Sequence, residues 1–411
     1  LLLNCSINQL SRWDRKNYFY PDMAKNYQIT QADQPLCLDG FIEVDVNGIR
    51  KRFEIERIHQ EENAAKNIHA SGASLVDYNR AGTALMEIVS HPCMHSADDA
   101  LAYMTAIKQI MQYGGISSCD QEKGQMRSDV NISVRPVGQK ELGSKVEIKN
   151  MNSFAFIQEA IAYEIDRQID VLENGGSVDQ ETRGYDSVRG ETFIQRTKED
   201  AHDYRYFPEP DLLPLRLSEE VIDHWRSELP ELPDQRKARY VDSLELPEYD
   251  ASVLTADKAI SDWFEEVLIH TSHAKAVSNF MMGEMMRLLA EENDEIGACK
   301  ITPAALAQVV ELIHAGTISH GAGKQIIEIL FKAGGDPQQI IDEKGLAQVS
   351  DDSELEKWAD QAIEEHPKPV DEYQAGNSAS INFLMGQVMK MSRGKANPGA
   401  VMQLLKQKLD G

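Results

Sequence analysis

The chain has 411 residues, 42% of them hydrophobic, and its 67 acidic side chains outnumber 42 basic ones for a net charge of −25. That length admits about two or three domains, each with its own core, and the apolar content argues against a disordered chain. The charge repels polyanions at long range, which excludes a DNA-coating protein, and no apolar run approaches the roughly 20 residues of a membrane span.

The sequence begins Leu1, Leu2, Leu3, Asn4 without an initiator Met. It reads at once as the tail of an apolar helix, so an upstream stretch is expected to be missing. Residues 41 to 46 and 49 to 59 alternate around Asn47 and Gly48, a dipeptide whose positive φ angles suit a two-residue hairpin turn. Counting by twos along the second strand puts Ile49, Phe53, Ile55, Arg57, His59 and Glu61 on one side. Polar groups are then expected at the end of an apolar face. Ser96, with Asp99 three residues on, opens a helix carrying Leu101, Met104, Ile107 and Met111 that stops at Gly114 and Gly115. Residues 126 to 135 alternate again: Arg127, Asp129, Asn131, Ser133 and Arg135 fall on one strand face, with Met126, Val130, Ile132 and Val134 on the other. Lys145, Glu147 and Lys149 mark the polar side of the next strand. Asn152 or Ser153 opens a helix with Ile157, Ile161, Ile165, Ile169 and Leu172 on one stripe, ending at Gly175 and Gly176. Mixed strands and helices up to about residue 215 predict an α+β domain built around a mainly antiparallel sheet.

From Pro230 and Pro233 onward the β-type alternation ends and helices follow. Thr302 and Pro303 cap a helix with Val309, Val310 and Ile313 on its stripe, closed by Gly316. Another covers Ile326, Ile327, Ile329 and Leu330 up to Gly334. Residues 366 to 370, with Pro367 and Pro369, read as a stiff link before the last helices. Residues 380 to 411 carry a local charge of +4, through Lys390, Arg393, Lys395, Lys406 and Lys408 against Asp410 alone. A phosphate-contacting foot is one reading, and a basic helix end favoured by the helix dipole is the other. The five cysteines are scattered and never in a C-x-x-C pair, which signals neither a disulfide framework nor a structural zinc. A reducing cytoplasm fits best.

The polar row of residues 127 to 135 mixes two guanidiniums, a carboxylate, an amide and a hydroxyl. That composition looks like a site, although a merely wet sheet face would show the same period. Arg57, His59, Glu61 and Glu62 gather an imidazole and two carboxylates within six residues. His59 and His69 lack the i, i+4 spacing of a zinc protease, so oxygen-ligated Mg²⁺ is the better fit, with a salt-bridged loop as the alternative. Asp77, Asn79 and Arg80 follow. Glu87 sits in the apolar run Leu85, Met86, Ile88, Val89, where burial would raise its pKa unless a cation or metal holds it ionised. It is either a metal ligand or half of a buried pair with Arg80 or Arg57. If the strands of 126–135 and 145–149 are neighbours, Asp129, Asn131, Glu147 and Lys149 share a surface suited to a metal-bound polyphosphate. No P-loop is present. Residues 198 to 211 combine Tyr204, Tyr206 and Phe207 with Arg205, a set that could stack a ribonucleotide or fill a core.

Taken in order, several segments closely resemble the B-subunit family of the bacterial-type tRNA-dependent amidotransferases. They are Asn17 to Asp22 with Tyr27 to Gln31, Arg57 to Glu62, Asp77 to Arg80 with Glu87 to Ser90, Met126 to Pro136, Glu147 to Asn150, Gln180 to Arg183, and Asp203 to Asp211. The likeness spans essentially the whole chain. It implies a cradle-shaped catalytic domain (1–229), a helical domain (230–345) and a small helical tail (346–411) that approaches tRNA. It also implies a heterotrimer with an amidase A subunit and a small C subunit. The expected reaction uses ATP and Mg²⁺ to phosphorylate the side-chain carboxylate of Glu-tRNA(Gln) or Asp-tRNA(Asn), and ammonia from glutamine then displaces the phosphate. By the same resemblance Glu62, Glu87 and Glu147 hold the metal, and Arg57, His59, Asp129, Asn131 and Lys149 belong to the same site. Arg127, Arg135 and Arg80 would contact the nucleotide, and Lys390, Arg393 and Lys395 the tRNA. The family's N-terminal Glu-x-His contribution has no counterpart here. Asn63 and Ala65 stand where the family usually has Asp and Gly. A subunit that only grips tRNA and docks the amidase is the other reading. A metal-dependent hydrolase lacks an evident nucleophile.

Overall fold

The structure is a computed structural model that describes residues 1–70, 72–121, 123–151, 153–197, 203–348, 352–392 and 394–410. The chain divides into two compact units, Leu1–Leu232 and Pro233–Gly411. A mixed, mainly antiparallel β region is followed by a mostly α-helical one.

In the first unit the chain runs β1 (Ser6–Ile7), β2 (Leu10–Ser11), β3 (Asp14–Asn17), β4 (Tyr27–Thr30), β5 (Cys37–Val46), β6 (Ile49–Glu62), β7 (Lys66–Ala70), β8 (Ala73–Asp77) and β9 (Ala84–Ser90). It continues as α1 (Ala97–Tyr113), β10 (Val130–Ile132), β11 (Val146–Lys149), α2 (Phe154–Glu173), β12 (Glu181–Asp186), β13 (Glu191–Thr197), β14 (Phe207–Pro208), β15 (Leu215–Arg216) and α3 (Glu219–Ser227). Two four-stranded sheets dominate, ordered β1-β5-β6-β9 and β10-β11-β12-β13, with β14-β3-β4 beside them. The β11–β12 pair is parallel and the other pairings are antiparallel.

The predicted hairpin forms as β5–β6, with Val46 opposite Ile49 and both turn residues at positive φ, Asn47 at +51° and Gly48 at +80°. Phe53, Ile55 and Ile58 of β6 pack with Tyr103, Ile107 and Met111 of α1 into one core. Burying each large side chain stabilises the unit by about 1.5–3 kcal/mol. Ser96 caps α1 by accepting from Asp99 N at 3.1 Å, and Ser153 caps α2 by accepting from Phe156 N at 3.2 Å. Asn152, the other candidate cap, lies outside the described residues.

Four expectations need correction. Leu1 to Asn4 form a turn leading into β1, not a helix end. The ten-residue strand expected over 126–135 is regular only over Val130–Ile132, although exposure still alternates from Arg127 to Ile132. On α2 the apolar stripe drifts around the helix: Ile157 and Ile161 are buried, whereas Ile169 and Leu172 are exposed and Glu164 and Gln168 take the buried face. Residues 366 to 370 are not a link but the start of a helix, where Pro367 and Pro369 occupy the first turn and their missing N–H groups cost nothing.

The second unit is built from α4 (Pro233–Leu244), α5 (Glu248–Leu254), α6 (Lys258–Leu268), α7 (Ala274–Phe280), a π-helical turn (Met281–Met285), α8 (Met286–Glu292), α9 (Pro303–His314), α10 (His320–Ala333) and α11 (Pro337–Lys344). Four more helices follow: α12 (Asp352–Glu365), α13 (Pro367–Gln374), α14 (Ser380–Met391) and α15 (Pro398–Asp410). Thr302 caps α9 with Pro303 in its first turn, as its sequence predicts. One apolar core gathers residues between Tyr240 and Ile341, and a separate one gathers residues between Leu355 and Leu405. Among the described residues no helix is long and apolar enough to cross a membrane.

Candidate functional site

A β-bulge sets the chemistry of β6. Ile55 pairs with Ser90 of β9, but Arg57 pairs with Val89, so one extra residue stands on the β6 side. Cross-strand partners share a face, and the insertion therefore flips the parity of everything after it. Ile58, paired with Ile88, continues the core face of Phe53 and Ile55; Arg57, His59 and Glu61 turn to the opposite face with Glu87 and Val89. The sequence parity that put Arg57, His59 and Glu61 beside Phe53 and Ile55 is corrected by this single residue.

On that second face His59 stands opposite Glu87. Its Nε2 lies 3.4 Å from Glu61 Oε1 and 3.5 Å from Glu87 Oε2. Among the described residues, these three alone form a group of at least three metal-capable donors, mutually within 4.8 Å. His59 is buried and Glu61 partly so, whereas Glu87 is 48% exposed because β9 is the edge of its sheet. The expectation of a buried Glu87 is overturned, and so is its pairing with Arg57 or Arg80. Arg57 pairs with Glu56, and Arg80 donates to the carbonyls of Lys123 and Gly124 at 2.9 and 3.1 Å.

Glu61 also accepts from Thr30 Oγ1 at 2.8 Å and Gln28 Nε2 at 3.1 Å, with Lys16 Nζ at 3.9 Å. Burial alone would raise its pKa, but His59, Lys16 and Thr30 outweigh burial and hold it below the ordinary carboxylate range. The Nδ1 of His59 is buried without a partner. Glu62, the carboxylate expected to hold metal, is engaged elsewhere, by Lys25 Nζ at 2.5 Å and by the amide of Ile29 at 2.8 Å. Glu61 takes the place expected of Glu62. The i+2 spacing from His59 was the available signal, since alternate residues of a strand share a face.

Glu147 does not join that group; it lies on the other large sheet. There Asn131 pairs with Glu147, and Glu147 with Thr182, whose hydroxyl donates to Glu147 Oε2 at 3.1 Å. Lys149 Nζ sits 2.6 Å from Asp129 Oδ2 and 3.3 Å from Glu147 Oε1. Burial opposes charge on Lys149, yet Asp129 and Glu147 outweigh it and raise its pKa. Asp129, Asn131, Glu147 and Lys149 thus share a surface as their alternation predicts. The three carboxylates expected to converge, Glu62, Glu87 and Glu147, form no such group.

Arginines line the neighbouring loops. A methyl group placed on Gly124, at φ +65°, would meet Arg80 Nη1 at 3.2 Å and Arg127 Nη2 at 3.5 Å, so both guanidiniums crowd one glycine. Neither is within ion-pair distance of a carboxylate among the described residues. Two unpaired like charges this close repel each other, and an anion between them would relieve that repulsion. Arg135 is exposed and donates to the carbonyl of Lys140. In the tail Lys390 and Lys395 are exposed, Lys408 pairs with Asp360 at 2.7 Å, and Arg393 lies outside the described residues, as do Lys198 and Glu199.

Sequence reasoning also missed Lys16 and Lys25, which β3 and the following loop bring to Glu61 and Glu62. Tyr206 is a further neighbour. Burial first, then Tyr204 and the carboxylates of Glu61 and Glu87, raises its phenol pKa, while Arg57 opposes them.

Comparison with known proteins gives this geometry its setting. Residues 1–223 match the family model described as the GatB/GatE catalytic domain, and residues 262–409 match that described as the GatB domain. A catalytic sheet domain joined to that helical domain defines the class, a catalytic subunit of an amidotransferase, which is a carbon–nitrogen ligase. Relatives named as the B subunit of aspartyl/glutamyl-tRNA(Asn/Gln) amidotransferase are similar over the whole of this chain and 86% of their own length. Those from Persephonella marina, Carboxydothermus hydrogenoformans and Caldicellulosiruptor saccharolyticus are 50%, 49% and 48% identical. The chain belongs to the GatB/GatE family of amidotransferase B subunits.

Proposed function

We propose that this chain activates the side-chain carboxylate of glutamate or aspartate mischarged on tRNA, as Glu-tRNA(Gln) or Asp-tRNA(Asn). It would work in the cytoplasm, in a heterotrimer with an amidase A subunit and a small C subunit. The gathering of His59, Glu61 and Glu87 on one sheet face carries this reading. Two carboxylate oxygens suit a hard divalent cation, and the partnerless buried Nδ1 of His59 marks a site whose hydrogen bonding is incomplete. Mg²⁺ would be held by Glu61 and Glu87 with His59 beside them, and would neutralise charge on the transferring phosphoryl group.

The protein's own groups account for the rest. A carboxylate resists amines because its leaving group would be oxide. Phosphorylation joins a carboxylate oxygen to the γ-phosphorus of ATP as the bond to ADP breaks, and ammonia then forms the amide as the carbon–oxygen bond to phosphate breaks, the proton lost by nitrogen leaving on the hydrogen phosphate. Arg80 and Arg127, crowded at Gly124 without carboxylate partners, would receive the polyphosphate, with Arg135 nearby in sequence on an exposed loop. Lys149, held charged by Asp129 and Glu147, would offer a fixed cation to the phosphoryl oxygens, and Asn131 would donate a hydrogen bond. Arg57 would face the same space. Glu147 and Glu62 are then orienting carboxylates for Lys149 and Lys25. The separate core of residues 355–405 supports a tail domain over 346–411 after a helical domain over 230–345. Lys390, Arg393 and Lys395 of the tail would contact tRNA phosphates.

The test compares Glu61→Gln with Glu62→Gln in the purified heterotrimer. Glu61→Gln is expected to lower ATP-dependent amide formation by about 10²–10³-fold and to weaken Mn²⁺ binding read by electron paramagnetic resonance, with tRNA affinity retained. Glu62→Gln should spare Mn²⁺ binding. Loss of the metal in Glu62→Gln but not Glu61→Gln would refute the assignment.

A further inference from the structure

The corner over residues 203 to 207 adopts a backbone that a residue with a side chain seldom takes. Arg205 has φ +46°, in the left-handed region where Cβ crowds the backbone. Local hydrogen bonds hold it there. Arg205 N donates to Asp203 Oδ1 at 2.9 Å; Asn17 N donates to the carbonyl of Tyr204 at 3.0 Å; and Asn17 Nδ2 donates to the carbonyls of Tyr204 and Arg205 at 3.2 and 2.8 Å.

Burial offers no return for this conformation, because Arg205, Tyr206 and Phe207 are exposed, Tyr206 by 47%. What the corner achieves is placement. The rings of Tyr204 and Tyr206 stand 5.8 Å apart, tilted by 57°. Lys16 Nζ lies 5.1 Å from the centre of the Tyr204 ring and 3.9 Å from Glu61 Oε1, which sets the aromatic pair beside the carboxylate group. A backbone held in a costly conformation to present wet aromatic rings next to a charged site matches the pattern of strain kept for function.

We propose that Tyr204 and Tyr206 form a shelf that stacks an adenine ring delivered to the carboxylate site. The inference rests on reading that site as the place of phosphoryl transfer. Tyr206 is exposed and Tyr204 half-buried beside it; an accessible phenol ring accepts the face of any base, and a neighbouring ammonium anchors the attached phosphates. The reaction brings two adenines, that of ATP and that of the 3′-terminal adenosine of the aminoacylated tRNA, and the shelf fits either.

The experiment measures KM for ATP and for mischarged tRNA in the heterotrimer carrying Tyr206→Ala, Tyr206→Phe or Asn17→Ala. Tyr206→Ala is expected to raise one of the two constants about tenfold, and Tyr206→Phe to stay within twofold of wild type. A rise for ATP identifies the nucleotide as the occupant, and a rise for tRNA identifies its terminal adenosine. Asn17→Ala, which releases the corner without touching a ring, should raise the same constant if Tyr206→Ala fails to fold. Both constants unchanged overturn the shelf, as does a Phe variant as damaged as the Ala variant. Mn²⁺ binding by Glu61→Gln separates the two failures: wild-type affinity there would sink the phosphoryl-transfer reading itself.

Discussion

The two units bury different kinds of side chain. The sheet unit hides Asp14, His59, Glu62, Asp99, Glu164, Glu181, Arg183 and Glu209, whereas among the described residues of the helical unit Asp250 is the one buried acidic or basic side chain. The helical core instead closes over Phe264, Leu306, Ile326 and Leu330, each fully buried. Apolar burial is non-directional and tolerates sliding. Buried charge is not, since each group needs its partner at a set distance. The unit that performs the chemistry is therefore the one whose interior fixes side-chain positions, and the network of Glu164, Arg167, Glu181 and Arg183 shows how. Its strand β12 also carries Thr182, which holds Glu147.

The largest expected effect tests that contrast directly. Glu164→Ala strips the shared partner from Arg167 and Arg183 and should cost about 3–5 kcal/mol, appearing in peptide-resolved hydrogen exchange over residues 1–232. Leu306→Ala should cost about 2–5 kcal/mol and appear over 233–411. A Glu164→Ala penalty below that of an exposed substitution would break the comparison.

Acid should separate the units next. Glu61, Asp99, Glu164 and Glu209 all sit below their ordinary pKa values, through His59 and Lys16, Lys51, Arg167, and Arg15 respectively, with burial opposing each. A carboxylate held low when folded contributes stability that is fully present above its unfolded value, about 4–4.5, and lost as pH falls through the folded value. Exchange protection over 1–232 should therefore fail at higher pH than over 233–411, where Asp250 and Asp262 are the carboxylates held low. Simultaneous loss in both units would contradict this. Smallest of the three, Gly48→Ala should cost about 1 kcal/mol by denaturant melting. Nothing lies within 4 Å of the added methyl, so the penalty is the φ of +80° alone.

Much of this was legible in the residues. Asn47 and Gly48 announced the hairpin, Ser96, Ser153 and Thr302 announced their helices, and alternation put Asp129, Asn131, Glu147 and Lys149 on one surface. The bulge after Ile55 was not legible, because an inserted backbone residue leaves no mark in composition, and it decided which face received His59 and Glu61. Lys16 and its contact with Tyr204 were hidden for another reason. The two residues meet where β3 pairs with β14, nearly the length of the unit away in sequence, and periodicity reports only local neighbours. The prolines of 366–370 misled because their fixed φ suits a first helical turn as well as an extended link.

The insertion in β6 works as a half-period phase shift along one continuous ribbon. Upstream of it, Phe53 and Ile55 answer to the hydrophobic interior; downstream, Arg57, His59 and Glu61, also at odd-numbered positions, answer to the face they share with Glu87. Substitutions at Phe53 or Ile55 and substitutions at His59 or Glu61 thus act on opposite sides of the same strand, so that repacking the interior leaves the face of His59, Glu61 and Glu87 in place.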